Sequence, residues 1–141
     1  MPNFSFVRDN DGNNQPPNVI ELPVADSQTL AVGDAVVLSS NKIAKAGASF
    51  GECVGVMAEA ITTGSSAGGP LAKVYVAKPS QLWRATASAN ATSHVLGVAT
   101  YDLNSSQVVN VADTTGGCIQ IVALNDSTTD ILIRFDVCAL A

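Results

Sequence analysis

The chain predicts an all-β domain, and three observations carry that prediction. Hydrophobic residues make up 47% of the 141 residues while aromatics make up only 5% and charged residues 13%, so the apolar content is chiefly Ala, Val, Leu and Ile. That content falls in short runs, each bounded by Gly, Asn, Ser or Pro, which is the habit of strands between turns. No stretch sustains the 3.6-residue period of an amphipathic helix; the best candidate, "VMAEAITT", holds β-branched residues and a Gly just beyond it. A chain of this length can bury roughly 70% of its unfolded surface, enough for one domain with a real core.

The segment Met1 to Pro23 is polar, turn-rich and proline-containing ("RDNDGNNQPPN"), and it reads as an extended N-terminal arm ahead of a β-rich body over residues 24–141. The arm carries apolar residues at its two ends, Phe4, Phe6 and Val7, then Val19, Ile20 and Leu22. A segment of that kind orders on binding, so Phe4, Phe6, Val19, Ile20 and Leu22 are candidate partner-binding residues. In the body, strands are expected over "AVVL" (Ala35 to Leu38), "KIAKA" (Lys42 to Ala46), "CVGVMAEAI" (Cys53 to Ile61) and "AKVYVA" (Ala72 to Ala77). They continue with "QLWRAT", "VLGVATYDL", "SQVVNV", "CIQIVAL" and "DILIRFDV". In the last, Ile131, Ile133 and Phe135 alternate with Leu132, Arg134 and Asp136, placing one row inward and the charges outward. The body is therefore a small barrel or sandwich. "ECVGVMAEA" and "HVLGVATYD" echo one another, and the Gly in each marks a bulge or a close backbone approach.

Several function classes are disfavoured. The net charge is −5 and the seven basic residues are scattered, so no cationic face for nucleic acid is expected. No apolar run approaches the roughly 20 residues that cross a bilayer, and the start lacks the basic and apolar regions of a signal peptide, so neither a membrane partner nor export is expected. Cys53, Cys118 and Cys138 are odd in number and scattered, which suits buried free thiols in a reducing cytoplasm. Sequons at Asn3, Asn90, Asn104 and Asn125 are then expected to stay unmodified.

No catalytic residue, metal ligand or cofactor is expected. "GASFG" (Gly47 to Gly51) matches G-x-S-x-G, and Glu59 and His94 follow in hydrolase order, so a small serine hydrolase using Ser49 is the enzyme alternative. That chemistry needs a strand-to-helix turn on a parallel sheet, whereas "GASFG" precedes the β-like "ECVGV". Three Cys and one His make up a zinc ligand set in number but not in spacing. "DNDGNN" (Asp9 to Asn14) opens like a calcium loop and then fails, with Asn14 at the Gly position and Ile20 at the Glu position. "GSSAGGP" (Gly64 to Pro70) ends in Pro where a phosphate loop needs Lys. His94 has no evident partner and is expected at the surface or a strand edge. Trp83 is either a core aromatic or a partner-facing anchor, and it joins the candidate binding residues in the second role.

The order "VGDAVVLSSNKIAKAG", "CVGVMAEAI", "KVYVAKPSQLWRAT", "VLGVATYDL" and "DILIRFDV" resembles the small capsid decoration, or cement, proteins of tailed bacteriophages over most of the chain after Leu30. The resemblance implies a β-barrel or β-tulip-like body, often a homotrimer, that docks on the outside of an assembled capsid and bridges major capsid protein subunits. It implies a non-enzymatic virion protein synthesised in the host cytoplasm, with the major capsid protein and its own copies as partners. A tail or head-fibre module is the structural alternative.

Overall fold

The computed structural model describes residues 4–10, 15–104 and 107–140. Among the described residues thirteen strands run in chain order: β1 (Ser5–Asp9), β2 (Val19–Pro23), β3 (Thr29–Leu30), β4 (Ala35–Ser39), β5 (Lys42–Lys45), β6 (Gly55–Met57) and β7 (Ile61–Thr62). There follow β8 (Leu71–Val76), β9 (Gln81–Thr86), β10 (Asp102–Leu103), β11 (Val109–Asn110), β12 (Ile119–Leu124) and β13 (Asp130–Phe135), with one 3-10 turn at Thr92–His94. The all-β expectation holds, and the architecture is sandwich-like. A four-stranded antiparallel sheet, β1-β9-β13-β12, faces a five-stranded one, β2-β8-β6-β4-β5. The ribbons β3-β7 and β10-β11 complete it. No barrel closes among the described residues: just past β2, Val24 meets Ile43 of β5 in an isolated parallel bridge, but β2 and β5 do not pair as strands.

The two-residue period of the strands builds two cores. Between the sheets lie Trp83, Ala85, Ile131, Ile133 and Phe135 from one side and Ala35 and Val56 from the other. On the far face of the larger sheet, Val36, Ile43, Met57, Ala72 and Val74 pack under Leu30 of β3. Neighbours such as Ala35 and Val36 thus serve opposite faces, which leaves the larger sheet apolar on both. β13 follows its expected alternation, with Ile131, Ile133 and Phe135 buried and Leu132, Arg134 and Asp136 not.

Turn chemistry explains the connections. Ala31 accepts from the Asp34 N–H at 3.1 Å while Gly33 sits at φ 92°, a turn that needs left-handed backbone at its third position. Ser40 and Asn41, both at positive φ, form the two-residue loop that joins β4 to β5. Gly55 answers the close-approach expectation: a Cβ there would overlap the Tyr75 carbonyl of β8. Gly97 does not, for the stretch around it is a loop rather than a strand. Among the polar segments, "GASFG" leads into bends and a bridge at Cys53, with no helix, and "GSSAGGP" is the loop between β7 and β8.

The expected arm runs extended, but its described parts are docked on the chain's own sheets. β1 pairs with β9, Phe6 opposite Trp83, with a bulge between Phe6 and Arg8. β2 pairs with β8 from Val19 opposite Tyr75 to Pro23 opposite Leu71. The stretch therefore supplies one outer strand of each sheet. The sequon at Asn3 and most of the calcium-like loop (11–14) lie outside the described residues.

Candidate functional site

An apolar groove of about 340 Å³ opens where the two sheets meet along β1. Phe6 and Trp83 form one wall from the smaller sheet, their rings edge to face at 5.5 Å between centroids. Tyr75 and Val56 face them from the larger sheet, with Met57 bordering the groove beside Val56, while Pro16 and Pro17 close one end and Val32 and Gly33 form a lip. Val32 is half exposed, at 52%. The groove forms here because β1 brings its aromatics to the edge of one sheet while the Pro-Pro segment leads the chain across to the other.

Its aromatic wall is built into the core. Phe4 is buried and packs on Phe135 at 5.4 Å, Trp83 meets Phe135 at 6.0 Å, and Phe50 meets the same ring at 5.9 Å. Trp83 is a core residue, 1% exposed, whose Nε1 donates to Gln81 Oε1 at 3.3 Å. Gln81 in turn accepts from the Lys78 N–H and donates to the Val76 carbonyl, which fixes the indole's one polar atom. Of the residues expected to bind a partner, Phe4, Phe6 and Trp83 converge on the groove. Val19, Ile20 and Leu22 do not line it: Val19 is exposed on β2, Ile20 is half-buried, and Leu22 packs against the second core. The composition of the arm could not reveal Pro16, Pro17, Val32 or Tyr75 as groove residues, because a loop, a turn and the opposite sheet contribute them.

A second feature lies at the other edge of the smaller sheet. The segment Val95 to Thr100 loops past β12, held by Leu96 N–H to the Ile121 carbonyl at 2.9 Å and by Gln120 Nε2 to the Gly97 carbonyl at 3.5 Å. His94 has a partner after all: its Nδ1 lies 2.8 Å from the Tyr101 hydroxyl, and the two rings meet edge to face. It is half-buried on the 3-10 turn rather than free at a strand edge. Burial raises the Tyr101 phenol above its ordinary pKa, so Tyr101 serves as a neutral hydroxyl at physiological pH. Leu96 and Val98 stand out from this fastened loop at 69% and 103% exposure, and Leu96 takes a left-handed φ of 55°.

The remaining polar groups hold the fold. Gln107 Oε1 accepts from the Ala35 N–H at 2.8 Å, and its Nε2 donates to the Ala46 carbonyl at 2.7 Å, spanning the ends of β4 and β5. Asp102, buried, accepts from the Phe50 N–H at 2.7 Å; burial raises its pKa first, and a side-chain hydrogen bond with Asp113 raises it further. The thiols expected to be scattered are near one another, Cys53 and Cys138 facing across a parallel bridge. All three are free, and burial pushes each up in pKa, Cys138 to about 11.

No hydrogen bond joins Ser49, Glu59 and His94 among the described residues, and Ser49 sits exposed in the loop after β5. Among the described residues no three His, Cys, Asp or Glu side chains gather as a metal site. No helix among them is long and apolar enough to cross a membrane. No protein-family model matches the chain, and no curated protein matches it.

Proposed function

We propose that the protein is a non-enzymatic capsid decoration protein of a tailed bacteriophage, which binds the outer surface of the assembled shell and stabilises it by bridging major capsid protein subunits. Its partners are then the major capsid protein and its own copies, as a homotrimer, and its location is the capsid exterior after synthesis in the host cytoplasm. The observation that carries the reading is the uncharged apolar groove, with an aromatic wall that the core makes rigid, at the edge of an all-β body. A preformed apolar hollow with fixed aromatic anchors suits recognition of a protein surface. The order of short apolar runs with their Gly-Asp and Gly-Val pairs, which resembles the decoration proteins, supports the same reading. Stabilisation follows from mass action: a ligand that binds only the assembled state shifts the equilibrium toward it.

Cosedimentation tests it. Purified protein mixed with assembled capsids of the phage that encodes it is expected to pellet with them and to raise their disruption temperature, and to ignore unassembled capsid protein. Equal binding to unassembled subunits, or none to capsids, overturns the reading.

A further inference from the structure

The groove and the Leu96 loop lie at opposite edges of one sheet. In the order β1-β9-β13-β12, β1 carries the groove's Phe6 and β12 anchors the loop through Ile121 and Gln120. One feature is hollow and the other projects, and both are apolar. Neither carries a formal charge: no Asp, Glu, Lys or Arg occurs from Ala85 to Tyr101, nor among the groove's lining residues. In a chain of net charge −5, these are surfaces that a second copy can approach without like-charge repulsion.

The backbone of the loop adds an independent observation. A leucine at φ 55° is strained, and Gly or Asn would take that conformation more easily. Its side chain is largely bare, so burial within the fold does not offset the strain. Meanwhile the loop is held still from behind, where Val95 packs on the core and His94 meets Tyr101. Strain held at an exposed apolar residue on a fastened loop directs attention to that residue as a contact.

We propose that Leu96 and Val98 of one copy seat in the groove of the next, against Phe6, Trp83 and Val32. The groove's 340 Å³ lies at the small end of ligand pockets, roughly 300–1,000 Å³, a size suited to a pair of aliphatic side chains. Since loop and groove are different surfaces, the contact is head to tail, and such contacts either close a ring or run on as a filament. The inference rests on the self-association part of the function proposed above, where closure of three copies gives the ring.

Sedimentation velocity of four proteins decides the matter, with circular dichroism and capsid cosedimentation run alongside. The native chain is expected to be oligomeric. Val98→Asp and Val32→Asp, at exposed sites, are expected to be folded monomers. Leu96→Gly, which relieves the backbone strain while removing the side chain, is expected to weaken association about 10- to 100-fold with no loss of thermal stability. The diagnostic measurement is an equimolar mixture of Val98→Asp and Val32→Asp, in which one intact loop meets one intact groove: a one-to-one dimer is expected. A monomeric native chain, variants that keep the native mass, or a mixture that stays monomeric overturns the loop-in-groove contact even where capsid binding persists. Lost capsid binding with native oligomers intact overturns the decoration reading instead and leaves this one standing.

Discussion

Residues far apart in the chain decide how inert its thiols are. Cys53 donates through Sγ to the Gly55 carbonyl at 3.6 Å, and Cys138 donates to the Phe135 carbonyl at 3.3 Å. Burial disfavours the thiolate at Cys53, and the neighbouring Cys118 and Cys138 disfavour it further. Because the thiolate is the reactive species, groups held this way are poor nucleophiles near neutrality. Cys53 and Cys118 are therefore expected to ignore an aromatic disulfide reagent in the folded protein, while half-buried Cys138 reacts slowly. All three are expected to react at once in denaturant, and thiol counting in the two conditions checks this; fewer than three in denaturant would reveal a disulfide.

At the scale of the elements, β1 is part of the core rather than an appendage to it. Phe4 is 2% exposed and packs on Phe135, and the Phe4 N–H donates to the Gly33 carbonyl at 2.9 Å, which ties the start of the strand to the turn that leads into β4. Phe4→Ala is expected to cost about 3–5 kcal/mol in urea unfolding, the range for emptying a buried aromatic site. Phe6→Ala, at a half-buried site, is expected to cost less and to widen the groove. A loss below about 1 kcal/mol for Phe4→Ala would mean that the strand contributes no core packing. Strands such as β13 are legible in the chain because alternation continues for a full element with one face buried. β1 is not, because a bulge interrupts its alternation after Phe6 and the Asn- and Pro-rich residues beside it dominate composition. "VLGVAT" misleads in the opposite sense: its apolar residues suggest a buried strand, yet Leu96 and Val98 are displayed by a loop. The aromatic half of the groove could be read from the chain, as Phe4, Phe6 and Trp83. Its other half, and the pairing of His94 with Tyr101, depend on how loops return across the sheets, which local periodicity does not encode.

For the whole molecule, two carboxylates set opposing responses to pH. Arg84 grips Asp130 with two hydrogen bonds, 2.9 Å from Nε and 2.6 Å from Nη2, and holds its carboxyl below the ordinary value of 3.8. The native state thus binds that proton less readily than the unfolded chain does. The pair's contribution is complete above 3.8 and fades as the pH falls through the lower, folded value. Asp102 runs the other way, for burial raises its folded pKa above 3.8, so its favourable contribution is present in acid and is lost as the pH rises through the folded value. Asp102→Asn keeps an oxygen for the Phe50 N–H and removes the buried charge. It is expected to raise the melting temperature at about pH 7 and to leave it nearly unchanged at about pH 3. Asp130→Asn is expected to lower it at about pH 7, by a modest amount because the Arg84 side chain is 42% exposed, with the difference vanishing on strong acidification. Melting curves of the native chain and both variants across this range check the signs. Asp102→Asn destabilising at neutral pH would show that its ionised carboxylate, rather than its hydrogen-bonding geometry, holds the Phe50 loop in place.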